Sequence, residues 1–130
     1  MASASKAVKG MKKIYIISRF RANSKLERDF NIKVARHYAK LISLDGNRPV
    51  APHLFYTQWL DDFKDSERAL GLAFGIEDLR ECDEFLLVVV DGYLSEGMRN
   101  EIAEVSRIGI RGRIIQLTKQ QAREALRTVV

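Results

Sequence analysis

Six consecutive apolar residues, Phe85-Leu86-Leu87-Val88-Val89-Val90, stand between Asp83-Glu84 and Asp91-Gly92. A strand with one wet face alternates apolar and polar residues, so an unbroken run of this length predicts a strand buried on both faces. The run is far shorter than the roughly 20 residues that cross a bilayer. Ile14-Tyr15-Ile16-Ile17 repeats the same character near the start of the chain. Two such strands need helices above and below them, and the sequence between and after them supplies those helices.

Ser24 with Glu27 has the spacing of a capping box and predicts a helix to about Leu44. Phe30, Val34, Tyr38, Leu41 and Ile42 fall on one of its faces at a 3.6-residue period. Asp45-Gly46-Asn47 ends it, and Pro49 to Pro52 reads as a short strand bracketed by prolines. An aromatic loop follows, with His53, Phe55, Tyr56 and Trp59. Asp65-Ser66 is placed to cap a second helix with Leu72, Ile76 and Leu79 inward. After Phe85–Val90 comes a turn, then a helix from Glu96 with Met98, Ile102 and Val105 inward, ending at Gly109. Arg113–Leu117 is the last strand and Lys119–Arg127 the closing helix. The expectation is an α/β chain: a doubly wound, Rossmann-like (flavodoxin-like) parallel sheet of four or five strands, ordered near 2-1-3-4, with helices on both faces.

The formal net charge of +5 is less informative than it looks. Lys6, Lys9, Lys12 and Lys13 carry four of those charges in an acid-free opening stretch, so the rest of the chain carries +5 − 4 = +1. A nearly neutral body lacks the basic face that tracks phosphate backbones, so no nucleic-acid partner is expected. Residues 1–12 read as a disordered extension or expression remnant, and residues 13–130 as one domain. The single cysteine, Cys82, allows no internal disulfide and reads as an inert core thiol. The expected setting is cytoplasmic, with no membrane partner and no cofactor. His37 and His53 find no partners that would complete a metal set, and His37 reads as surface.

In a doubly wound sheet, ligands bind beyond the carboxyl ends of the strands, where strand order reverses. That rule selects Ser18-Arg19-Phe20-Arg21, His53 to Tyr56, and Asp91 to Glu101. In the last segment, Ser95 and Gly97 stand at a helix N-terminus whose free N–H groups suit an anionic or polar ligand. Glu101 lies about one and a half turns further in. Spacing alone favours Ser95 as a mere N-cap and Glu101 as a solvated helix residue.

At these residues the chain resembles the nucleoside 2-deoxyribosyltransferases and deoxynucleoside-monophosphate N-glycosidases, over roughly Lys13 to Leu117. The strand Phe85–Val90 followed by Asp91, Ser95, Gly97 and Glu101 is similar to their signature, and Tyr15 matches their strand tyrosine. The runs Ala51 to Tyr56 and Ser95 to Glu101 most resemble an uncharacterised phage and prophage branch. The resemblance implies Glu101 as nucleophile on an N-ribosyl bond, oriented by Tyr15. It also implies a nucleoside or nucleotide ligand held by Ser18, Arg19, Arg21, His53, Phe55, Asp91, Ser95, Gly97 and Met98. Arginines suit phosphate because the guanidinium meets its oxygens with two parallel bonds. Both arginines can equally be solvated loop charges, Phe55 a core residue, and Trp59 packing. A homo-oligomer is implied as well, with the aromatic loop at or near its interface.

The resemblance breaks at one point. The transferases carry a carboxylate about eight residues before the acid that opens the third strand, and that count from Asp83 reaches Gly75. The nearest acids are Glu77 and Asp78. Two functions are therefore weighed: hydrolysis or transfer at an N-glycosidic bond, and a phage protein that sequesters a nucleotide-derived immune signal without cleaving it. The ligand class then extends to a cyclic nucleotide or an ADP-ribose-type signal.

Overall fold

A computed structural model describes residues 10–127; the rest of the expected extension, residues 1–9, and the last three residues lie outside the described residues. Strand β1 (Lys13–Ile17) leads to helix α1 (Lys25–Leu44), strand β2 (Arg48–Val50) and helix α2 (Pro52–Phe55). A 3-10 turn (Tyr56–Gln58) precedes helix α3 (Asp65–Arg80), strand β3 (Glu84–Val90) and helix α4 (Glu96–Ile108). Strand β4 (Arg111–Leu117) and helix α5 (Lys119–Arg127) close the fold.

The strands form one four-stranded sheet in the order β2-β1-β3-β4, every pairing parallel. The expected order and direction therefore hold. Tyr15 pairs in register with Phe85 and Ile17 with Leu87. Because side chains alternate across a strand, each face of the sheet receives its own core. Ile14, Ile16, Leu86 and Val88 pack with Val34, Tyr38 and Ile42 of α1 and Ala122 of α5. Tyr15, Ile17, Leu87 and Val89 pack with Leu79 of α3 and with Met98 and Val105 of α4. The chain leaves β1 towards β2 and leaves β3 towards β4, so the reversal that opens a crevice lies between the carboxyl ends of β1 and β3.

Local chemistry explains most boundaries. The Ser24 hydroxyl accepts from the Glu27 amide at 3.1 Å, but the Glu27 carboxylate turns to Arg19, at 3.8 Å, instead of closing the box. Gly109 ends α4 at φ 76°, a left-handed value that glycine adopts without strain.

Five expectations are corrected. Strand β2 stops at Val50, and Pro52 opens α2, where its missing N–H and fixed φ fit a first helical turn. What reads as an aromatic loop is therefore a short helix and a 3-10 turn. Neither Asp65 nor Ser66 caps α3: Lys64 holds that position without a side-chain bond, and Asp65 and Glu67 favour the first turn by charge. Leu41 and Leu72 are 38% and 37% exposed, at the margins of their helices' apolar faces. Strand β4 begins at Arg111, two residues early, because Gly112 pairs with Phe85, whose ring lies over the space a Cβ would fill.

Cys82 is buried and donates to the Asp78 carbonyl at 3.3 Å. Burial first, and then the negative charge of Asp78, push its thiol up to about 12, which leaves almost no thiolate at neutral pH. Ellman's reagent is expected to leave the native protein unlabelled over a period that labels the denatured chain fully; rapid native labelling would contradict this packing.

Candidate functional site

Tyr15 stands at the centre of β1 on the α3–α4 face and is 1% exposed. Its hydroxyl donates to Oε2 of Glu101, in the second turn of α4. Burial, followed by the charge of Glu101, raises the Tyr15 pKa well above its ordinary value, so the phenol keeps its proton and remains a donor. Glu101 is 6% exposed, and its other oxygen, Oε1, is buried without a hydrogen-bond partner. His53 Nε2 lies 3.8 Å from it.

Each member of this group is positioned by its own element. Ser95 caps α4, its hydroxyl accepting from the Met98 amide at 3.2 Å, which fixes the first turn over the sheet end. Met98, 1% exposed, anchors that turn in the core. Arg80 of α3 meets Glu104 of α4 at 3.1 Å, and hydrogen bonds from Arg107 and then Arg80 lower Glu104 to about 2. His53 enters on α2, directly after β2, and stacks on Phe20 at 5.5 Å and 14°. The Phe20 carbonyl accepts from Asn31 Nδ2 of α1 at 3.1 Å, which holds the loop after β1 in place.

Seven of the nine expected ligand residues line one hollow of about 320 Å3 at the carboxyl ends of β1 and β3: Ser18, Arg19, Arg21, His53, Ser95, Gly97 and Met98. Tyr15 and Glu101 do not line it; Glu101 is connected to it through His53, 3.8 Å from Oε1. The guanidinium of Arg19 rests 4.3 Å from the Tyr93 ring centre, and that of Arg21 5.3 Å from Phe63. Aromatic faces hold both cations near the hollow, and Arg19 also pairs with Glu27 at 3.8 Å.

The other two residues lie apart. Phe55 is 55% exposed and lines a separate hollow behind α2 with Tyr56 and Asp78. Asp91, at φ 52°, accepts from the Lys119 amide at 2.9 Å and so fastens the start of α5. It faces a hollow of about 280 Å3 near α1, which shares Ser18, Arg19 and Tyr93 with the larger one. Trp59 packs edge-on against Phe55 and Tyr56, leaving an exposed aromatic cluster outside the hollow.

Gly75, the point where the resemblance breaks, packs directly over the pair. A Cβ there would lie 3.4 Å from the Tyr15 hydroxyl and 3.6 Å from Pro52. Asp78, one of the two nearest acids, accepts from the Tyr56 hydroxyl at 2.9 Å. Sequence reasoning missed Tyr93, Phe63 and Arg68, all of which line the hollow, Arg68 with both Asp62 oxygens at 3.2 Å. Tyr93 sits inside the Asp91–Ser95 turn and was open to notice; Phe63 and Arg68 carry no local signal. Among the described residues, no three His, Cys, Asp or Glu side chains are placed to hold a metal, and no helix is long and apolar enough to cross a membrane.

The family described as "Domain of unknown function (DUF7768)" matches residues 12–115, a span that takes in Tyr15, His53, Gly75, Ser95 and Glu101. The chain belongs to this family. No match was found among curated proteins. Among solved structures, a 2-deoxyribosyltransferase from the psychrotolerant bacterium Bacillus psychrosaccharolyticus is similar, with a TM-score of 0.63 and 15% identity. The likeness covers 80% of this chain and 72% of that one. This DUF7768 member therefore has a 2-deoxyribosyltransferase-like, Rossmann-type fold.

Replacing Tyr15 by Phe leaves both Glu101 oxygens buried without a partner and is expected to lower stability by about 1–3 kcal/mol in urea unfolding. The raised tyrosine pKa means that the unfolded chain loses this proton first as pH climbs, so wild-type stability falls above the ordinary value of 10.0. The difference between wild type and Tyr15→Phe should therefore narrow above that pH; a constant difference would show that the phenol proton is not shared with Glu101.

Proposed function

We propose that this protein acts on the N-glycosidic bond of a nucleoside or nucleotide, as hydrolase or transferase, with Glu101 as nucleophile. The observation that carries the reading is the asymmetric setting of that carboxylate. One oxygen takes the Tyr15 proton donor, while the other has no hydrogen bond and lies 3.8 Å from His53, which lines the hollow together with Gly97 and Met98. A buried carboxylate oxygen left unbonded is costly unless a ligand uses it. In the proposed reaction, Oε1 attacks the anomeric carbon as the bond to the base breaks, and water or a second base resolves the ribosyl ester. A carboxylate suits the oxocarbenium-like transition state because it places negative charge beside developing positive charge. Tyr15 holds the rotamer, and Arg19 and Arg21 receive phosphate where the ligand carries one. The similar fold of a 2-deoxyribosyltransferase supports a ligand of this class. The homo-oligomer implied by the resemblance belongs to the same proposal, with Phe55, Tyr56 and Trp59 as the surface it would cover.

Glu101→Gln keeps the side-chain shape and removes the nucleophile. Base release from a panel of nucleosides and nucleotides, followed by chromatography, is expected to fall at least about 1000-fold while binding persists. A wild type that returns every panel member unchanged yet retains one tightly would overturn the catalytic reading. It would favour the sequestering alternative, to which the bare Gly75 position lends support.

Replacing Arg19 and Arg21 together by Gln is expected to weaken a nucleoside monophosphate by about 1.5–3 kcal/mol, roughly ten- to a hundred-fold, and the matching nucleoside far less. Equal weakening of both by calorimetry would assign these arginines to the fold.

A further inference from the structure

We propose that His53 is the acid–base residue that protonates the departing base, a role resting on the N-glycosidic reading above. A base leaving a sugar carries away the electron pair of the C–N bond, and a positioned proton donor makes that departure easier. Few groups around the hollow can serve. The Tyr15 proton is committed to Glu101. Asp62 is held by Arg68 through both oxygens, and Glu96 stands on the exposed rim. Gly75, packed against the Tyr15 hydroxyl, brings no side chain at all. His53 lies 3.8 Å from the unbonded oxygen of Glu101 and lines the same hollow, its side chain 28% exposed. Stacking on Phe20 fixes the plane of its ring, and the Asn31 bond fixes Phe20. An imidazole both gives and takes a proton near neutral pH, as the two halves of this reaction require.

The steps balance. Glu101 Oε1 bonds to the anomeric carbon while the carbon–nitrogen bond breaks, and the imidazolium passes its proton to the base nitrogen that receives the electron pair. Neutral His53 then takes a proton from the water that attacks the same carbon. The ester bond breaks, the Glu101 carboxylate is freed and the imidazolium is restored.

The test compares two leaving groups on the full-length protein. Natural bases depart with a proton, whereas 4-nitrophenolate from a 4-nitrophenyl 2-deoxyriboside departs without one. His53→Gln and the smaller His53→Asn are expected to slow first-turnover release of natural bases roughly 100-fold or more while the first-turnover burst of nitrophenolate, which precedes the water step, stays within about threefold of wild type. Retained nitrophenolate release also reports that the variants are folded. Glu101→Gln should lose both activities. Parallel loss of both by the two His53 variants, or loss of neither, overturns the acid–base role while the N-glycosidic reading stands. A wild type that is silent on both substrates overturns that reading and this assignment together.

Discussion

Strands β1 and β3 have no solvent side, and that condition organises the rest of the molecule. A strand buried on both faces needs a helical layer above and below, and right-handed crossovers dictate which helices supply each layer. The connection from β1 puts α1 on one face, and those leading into β3 and β4 put α3 and α4 on the other. The helices part where the two directions separate, so the crevice above β1 and β3 is a by-product of covering the sheet.

Inside this frame, the Tyr15–Glu101 pair is an exception to the apolar rule of the core. A carboxylate among Met98, Val105 and Leu79 is tolerated because a phenol that cannot readily ionise donates to it. At Gly75 α3 comes close over the pair: a Cβ there would sit in van der Waals contact with the Tyr15 hydroxyl and Pro52. The proposed site and the packing thus share a few atoms.

Which parts of this were legible before the structure follows from how local each signal is. The apolar runs, the Ser24 and Ser95 caps and the glycine stop at Gly109 are written in neighbouring residues, and they placed the sheet and α4 well. Ser95, Gly97 and Glu101 were singled out by the family resemblance, since their spacing alone does not tell a ligand site from a capped, solvated helix start. Pro52 misled because proline suits both a strand margin and a first helical turn, and only tertiary packing chooses. His53 and Phe55 looked equivalent in sequence, yet two positions apart on a helix point roughly 200° away from each other, so one faces the hollow and the other the outside. Asp91 sits at a strand end, where a ligand contact and a turn that fastens the next helix have the same composition.

Strand β4 pairs on one side with β3, and its other edge is open among the described residues. An open edge is a template for a foreign strand, and here it is long and carries Ile114 at 61% exposure. Arg111 and Arg113 are exposed along it, one on either side of the glycine that Phe85 covers. An incoming strand would have to bury guanidinium charge beside its own backbone, a cost that deters edge-to-edge growth. The positive charges that look idle on the surface thus guard this border of the sheet.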